Sequence, residues 1–65
     1  MNLNTRDIIM KKLLDAQENV RDYEMFSKQV DNNEVSSIFK KFAEESGQQA
    51  RKLQELIEKF DNNLK

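Results

Sequence analysis

The sequence contains no cysteine, histidine, proline or tryptophan, and only one glycine. Each absence excludes something. Without cysteine there is no disulfide staple and no thiolate metal site, and without histidine the commonest metal ligand and general base is gone too. Zinc sites built on those ligands and His-dependent nucleophilic triads are therefore excluded. With no proline, and with Gly47 as its single glycine, the chain has almost none of the usual punctuation. No apolar run approaches the length of a membrane span. The N-terminal MNLNTRDIIMKK lacks the cationic region and apolar core of a signal peptide. A cytoplasmic chain with no membrane association is expected.

Charge is nearly balanced, with 11 basic and 12 acidic residues. The longest basic runs are the pairs Lys11-Lys12 and Lys40-Lys41, too short to track a phosphate backbone, so no nucleic-acid partner is expected. Sixty-five residues make one small domain, which buries a modest fraction of its surface and usually needs a staple. With disulfides and thiolate or imidazole metal sites gone, oligomerisation is the staple left.

What the sequence does contain is helix-forming: Ala, Leu, Lys, Glu, Gln and Arg abound. Its breaks are two copies of one tripeptide, Asp31-Asn32-Asn33 and Asp61-Asn62-Asn63. Asp and Asn compete with the helical backbone for hydrogen bonds and favour ends and turns. The first copy reads as the connection between two helices, the second as the close of the second helix. Asn4 is the expected N-cap of the first helix, with Asp7 three residues on and Leu3 and Ile8 in hydrophobic-staple positions. Asp31 is the expected N-cap of the second, with Glu34 three residues on and Val30 and Val35 as the staple. One domain over 1–65 follows, with helix 1 over about 5–30, a turn at about 31–33 and helix 2 over about 34–61.

Periodicity sets the class. Ile9, Leu13, Ala16, Val20, Tyr23, Ser27 and Val30 recur at alternating spacings of four and three. Phe39, Phe42, Ser46, Gln49, Leu53, Leu56 and Phe60 do the same. Leu14 and Phe26 widen the first stripe, and Ala43, Ala50 and Ile57 the second. Such stripes pack helix on helix at shallow angles. Charged residues fill the outward positions, where Asp7–Lys11, Glu24–Lys28 and Glu55–Lys59 have i,i+4 spacing. The short turn makes the helices antiparallel neighbours. A lone hairpin cannot hide so wide an apolar face, so an all-α hairpin pairing as a homodimeric four-helix bundle is expected. The expected interface is Ile9, Leu13, Val20, Phe26, Phe39, Phe42, Leu53, Leu56, Ile57 and Phe60. A helix of another protein with a complementary face is the other candidate partner.

One stretch interrupts the pattern. Ser46 and Gln49 fall on the expected inward stripe between Phe42 and Leu53, next to Gly47, and Ala16 should lie level with Gln49. The run from Ile38-Phe39 through Ala43 and Ala50, followed by Leu53 and Leu56-Ile57, resembles the second helix of a rubrerythrin-type ferritin-like half-bundle. That pattern reads I-F-x-x-x-A-x-x-E-x-x-H-A, then leucines. The resemblance covers both helices, from about Leu13 to Ile57, and implies a ferritin-like half-bundle. It places the family's ligand Glu at Ser46 and its ligand His at Gln49. Counting back from Tyr23 places the first-helix ligand Glu at Ala16. Alanine has no donor atom, and serine and glutamine are weak neutral donors beside carboxylate and imidazole. No metal and no cofactor are expected.

For Ser46, Gln49 and Tyr23 with Ala16, the expectation is a buried polar layer that fixes register or assembly. A small ligand cavity is the functional counterpart. Gly47 is expected either to kink its helix or to let the helices approach closely. The Tyr23 hydroxyl is expected to be tied to the polar layer. A slipped register that turns Glu45-x-x-Gln48 inward would expose Phe39 or Leu53, at about 1.5–3 kcal/mol for each large side chain. The reading is a non-enzymatic structural or interaction module. Its rivals are a metal-binding or oxidoreductase bundle on unrecognised carboxylates, and a small regulator that binds a helix of another protein.

Overall fold

The computed structural model describes residues 4–63. Two helices make up the fold, α1 over Thr5–Gln29 and α2 over Asn33–Asn63. Leu3, expected in the staple of α1, lies outside the described residues.

Each helix begins on an asparagine. The Asn4 side chain accepts a hydrogen bond from the Asp7 backbone N–H at 2.8 Å, as expected for an N-cap. At α2 the cap is displaced by one residue: the Val35 N–H donates to Asn32 Oδ1 at 3.0 Å, and the Ser36 N–H donates to the Asn32 carbonyl at 2.9 Å. Asn32, not Asp31, caps α2. The staple expected of Val30 and Val35 is then out of register, because Asn32 has Asp31 before it and Ser36 at the fourth helical position.

The turn is built without a left-handed residue. Val30 is extended, with φ −75° and ψ 144°, and its N–H still donates to the Phe26 carbonyl at 3.0 Å. No described residue other than glycine has positive φ, and Gly47 does not have it either. That is how a chain with one glycine, spent in mid-helix, can reverse direction. The Ser36 hydroxyl then donates to the Ser27 carbonyl across the turn at 2.7 Å, and the Ser27 hydroxyl donates to the Glu24 carbonyl at 2.7 Å. Ser27 is buried, its polar atoms used to close the hairpin. The second tripeptide does not break the chain; α2 runs through it to Asn63.

The helices are antiparallel along their whole length. Arg6 near the start of α1 holds Asp61 near the end of α2 through Nε–Oδ1 at 2.8 Å and Nη2–Oδ2 at 3.2 Å. That pairing pushes the Arg6 guanidinium further toward its charged form. The other ion pairs among the described residues are local, Lys11–Asp15 at 3.0 Å, Lys12–Asp15 at 3.6 Å and Lys52–Glu55 at 3.6 Å. Lys11 therefore reaches forward to Asp15 and not back to Asp7, and Glu55 pairs with Lys52 and not with Lys59.

Packing between the helices rests on Leu13 and Ala16 of α1 and on Ala43, Ser46 and Ile57 of α2, all buried. This corrects the expected seam on α2. The stripe that meets α1 is Phe39, Ala43, Ser46, Ala50, Leu53 and Ile57, rotated by one position from the one containing Phe42, Gln49, Leu56 and Phe60. Ala43 and Ala50 explain the choice: small side chains let the helix axes draw together, while Phe42 is pushed to the side with 39% exposure. Leu13 and Ile57, expected at a dimer interface, are 3% exposed and used up inside the hairpin.

The result is a plate of 49 × 24 × 12 Å. Its thinnest dimension is that of one helix with its side chains, about 10–12 Å. No described side chain is completely buried. Among the described residues no helix is long and apolar enough to cross a membrane.

Candidate functional site

The plate has two unlike faces. On one lies a shallow groove of about 450 Å³ walled by Val20, Glu24, Lys40, Ala43, Glu44 and Gly47, charged along its rim. Gly47 has room there: a Cβ built on it would meet Val20 Cγ2 at 3.9 Å, ordinary contact. Close helix approach therefore does not account for this glycine, and α2 is continuous through it.

Among the described residues six large hydrophobic side chains are exposed, and four of them share the other face; Met25 and Leu14, the latter expected to widen the α1 stripe, are 48% and 57% exposed on a different side of α1. Ile38, Phe42, Leu56 and Phe60 on α2, spaced by whole helical turns, share a stripe with Gln49. Ile8 and Phe26 lie on the corresponding side of α1. Of these, Ile8 is 50%, Phe26 43%, Ile38 40% and Phe42 39% exposed. Leu56 and Phe60 are half-buried. The remaining expected interface residues, Ile9, Val20, Phe39 and Leu53, are half-buried between the helices.

Between the two ends of this face sits a polar notch of about 260 Å³, lined by Asn19 and Tyr23 from α1 and by Phe42, Glu45, Ser46 and Gln49 from α2. Its aromatic wall is a three-ring cluster. Tyr23 packs against Phe39 with centroids 5.5 Å apart at 55°, and against Phe42 at 5.4 Å and 66°. Ser46 is buried at its base, and Ala16 is buried nearby on α1. Gln49 is exposed on the hairpin. The expected layer of Ala16, Ser46, Gln49 and Tyr23 therefore divides. Ala16 and Ser46 are interior, while Tyr23 and Gln49 stand on the open face. Tyr23 is held through its ring; its hydroxyl makes no hydrogen bond among the described residues. No buried side-chain nitrogen or oxygen among the described residues lacks a partner.

Two walls of the notch, Asn19 and Glu45, escape a reading of apolar stripes alone. Asn19 is found by its spacing: it stands four residues before Tyr23 and seven before Phe26, on the same side of α1. Glu45 reads as plain surface charge until Phe42 and Gln49 are seen to flank it.

Ala16, Ser46 and Gln49 do not fit a metal, for they offer no anionic donor and no imidazole. Among the described residues no group of three or more carboxylate, imidazole or thiol side chains is placed to hold one. Glu45 and Gln48 are exposed while Phe39 and Leu53 keep their inward places, so the slipped register is not adopted. No protein family, curated protein or solved structure matches the chain.

Proposed function

We propose that the chain is a non-enzymatic self-pairing module, a homodimer in which two hairpins close a four-helix bundle over their apolar faces. One observation carries this reading: the hairpin is a single layer, 12 Å thick, with Ile8, Phe26, Ile38 and Phe42 on one open face. Stable domains need a second layer against which such a face is buried.

The ferritin-like pattern supports the same reading as half-bundle kinship with its ligand positions replaced. Ala16 and Ser46 take interior places where the resembled family carries acidic ligands, and they fill space instead of binding a metal. The module is set in the cytoplasm, in keeping with a cysteine-free sequence.

Ile38→Lys tests the proposal. Ile38 is 40% exposed on the open face and lies outside the Tyr23–Phe39–Phe42 ring cluster, so the variant places a charge in the pairing face without removing a ring that joins α1 to α2. Size-exclusion chromatography with light scattering should show a dimer for the parent chain and dissociation for the variant. A parent chain that elutes as a folded monomer overturns the reading.

A further inference from the structure

We infer that the polar notch is a binding site for a primary ammonium group, carried by an alkylamine or by a lysine side chain. One hairpin builds the whole of it, so the site stands or fails separately from the homodimer proposed above.

Ser46 carries the inference. A serine inside a helix commonly returns its hydroxyl to a carbonyl about one turn back. Ser27 does so, donating to the Glu24 carbonyl at 2.7 Å. Ser46 is only 7% exposed, yet its hydroxyl makes no hydrogen bond among the described residues. No fully buried side-chain oxygen among them lacks a partner. The Ser46 Oγ is therefore the part of the residue that still opens, and it opens into the notch that Ser46 lines. A hydroxyl packed at the base of a recess without a partner is left for a group from outside the hairpin.

The lining sets the chemistry of that group. Glu45 brings the one formal charge, and no cation answers it. Lys41, a turn before Glu45, is exposed, makes no ion pair among the described residues and does not line the notch. Asn19 and Gln49 add amide oxygens, also without hydrogen bonds inside the hairpin. The Tyr23 and Phe42 rings form the wall, and aromatic rings attract cations. One carboxylate among neutral oxygens is a weak set for a metal ion, and no second acidic side chain lines the notch. The set suits a group that joins positive charge to several N–H donors, as a primary ammonium does. A quaternary ammonium has the charge but would leave Ser46, Asn19 and Gln49 without a donor. At about 260 Å³ the notch admits an ammonium head with a short alkyl chain. It lies on the face that pairing would cover, where the same ammonium supplies Glu45 with a counter-charge.

The test is an NMR titration of the isotope-labelled full-length chain with n-butylammonium chloride. Sodium chloride, n-butanol and tetramethylammonium chloride at equal concentration are the controls. n-Butylammonium should give saturable shifts centred on Tyr23, Phe42 and Ser46, and the controls should not. Glu45→Gln, at an exposed position, should weaken binding about tenfold or more, and Ser46→Ala severalfold, each keeping the spectrum of the folded hairpin. Mixing labelled with unlabelled copies separates the sources of the ammonium. A contact between lysine ε-protons of one copy and the Tyr23 ring of another, without added amine, assigns the group to a second copy. Binding of n-butylammonium without that contact assigns it to a free amine. An equal response to n-butanol or tetramethylammonium, or unchanged binding in Glu45→Gln, overturns the site. So does the absence of both a saturable shift and a lysine contact. A monomer mass in the same sample overturns the homodimer and leaves the site in place.

Discussion

Tyr23 of α1 stands edge-on to Phe42 of α2, ring centroids 5.4 Å apart and planes at 66°, and the same tyrosine leans on Phe39 at 5.5 Å. This cluster joins the interior of the hairpin to its open face. Aromatic pairs in such geometry are worth about 0.5–1.5 kcal/mol beyond the area they bury. A double-mutant cycle of Tyr23→Leu and Phe42→Leu, read by urea unfolding, should give a coupling of about 1 kcal/mol. Additive effects would show that the rings share a neighbourhood and no interaction.

The cap of α2 makes a sharper claim, because neighbouring residues are expected to differ. Asn32 accepts the Val35 N–H at 3.0 Å, while Asp31 sits one position before that cap. Asn32→Ala should cost about 1 kcal/mol and Asp31→Ala a few tenths at most. Thermal melts of the two variants, side by side, check the order. The reverse order would put the cap back at Asp31.

Gly47 is an opportunity for stabilisation. Its helical backbone can carry a side chain, and a built Cβ would make only ordinary contact with Val20 Cγ2 at 3.9 Å. Gly47→Ala should raise unfolding free energy by about 1 kcal/mol, through helix propensity and a less flexible unfolded chain. A loss of stability would mean that the charged groove of Val20, Glu24, Lys40 and Glu44 must admit something close to the backbone.

The pH response follows from composition and from one carboxylate. The sequence has no histidine or cysteine, the residue types whose ordinary pKa lies nearest neutrality. The Lys11 hydrogen bond holds the Asp15 carboxyl below its ordinary value, and the Lys11 and Lys12 charges add to that. A depressed carboxylate contributes stability above its unfolded pKa and loses it as pH falls through the folded value. The melting temperature followed by circular dichroism should be flat from about pH 6 to 8 and decline below about pH 4. A transition near pH 6.5 would contradict this.

Much of the hairpin was legible in the sequence because its signals are local. Asn4 with Asp7 marks the start of α1, and the Asp31-Asn32-Asn33 tripeptide marks the reversal, each through backbone hydrogen bonds a few residues away. The exact cap was not legible, since Asp31 and Asn32 are both good acceptors and the choice depends on where Val30 leaves α1. The inward stripe of α2 was not legible either. Phe42-Gln49-Leu56 and Ala43-Ala50-Ile57 both have helical period, and period alone does not say which one meets a neighbouring helix. Side-chain volume does: the alanines admit α1, and the phenylalanine is turned aside. That rotation explains the polar centre of the run Phe42 to Leu53. Ser46 goes inside, and Gln49 goes to the open face as part of a notch with Asn19 and Glu45.

The central claim is that the open face is closed by a second copy of the chain, and sedimentation equilibrium across the micromolar range tests it most directly. The account predicts a single species at twice the 7.7 kDa chain mass, dissociating only together with loss of helical signal on dilution. A stable, fully helical species at 7.7 kDa would contradict it.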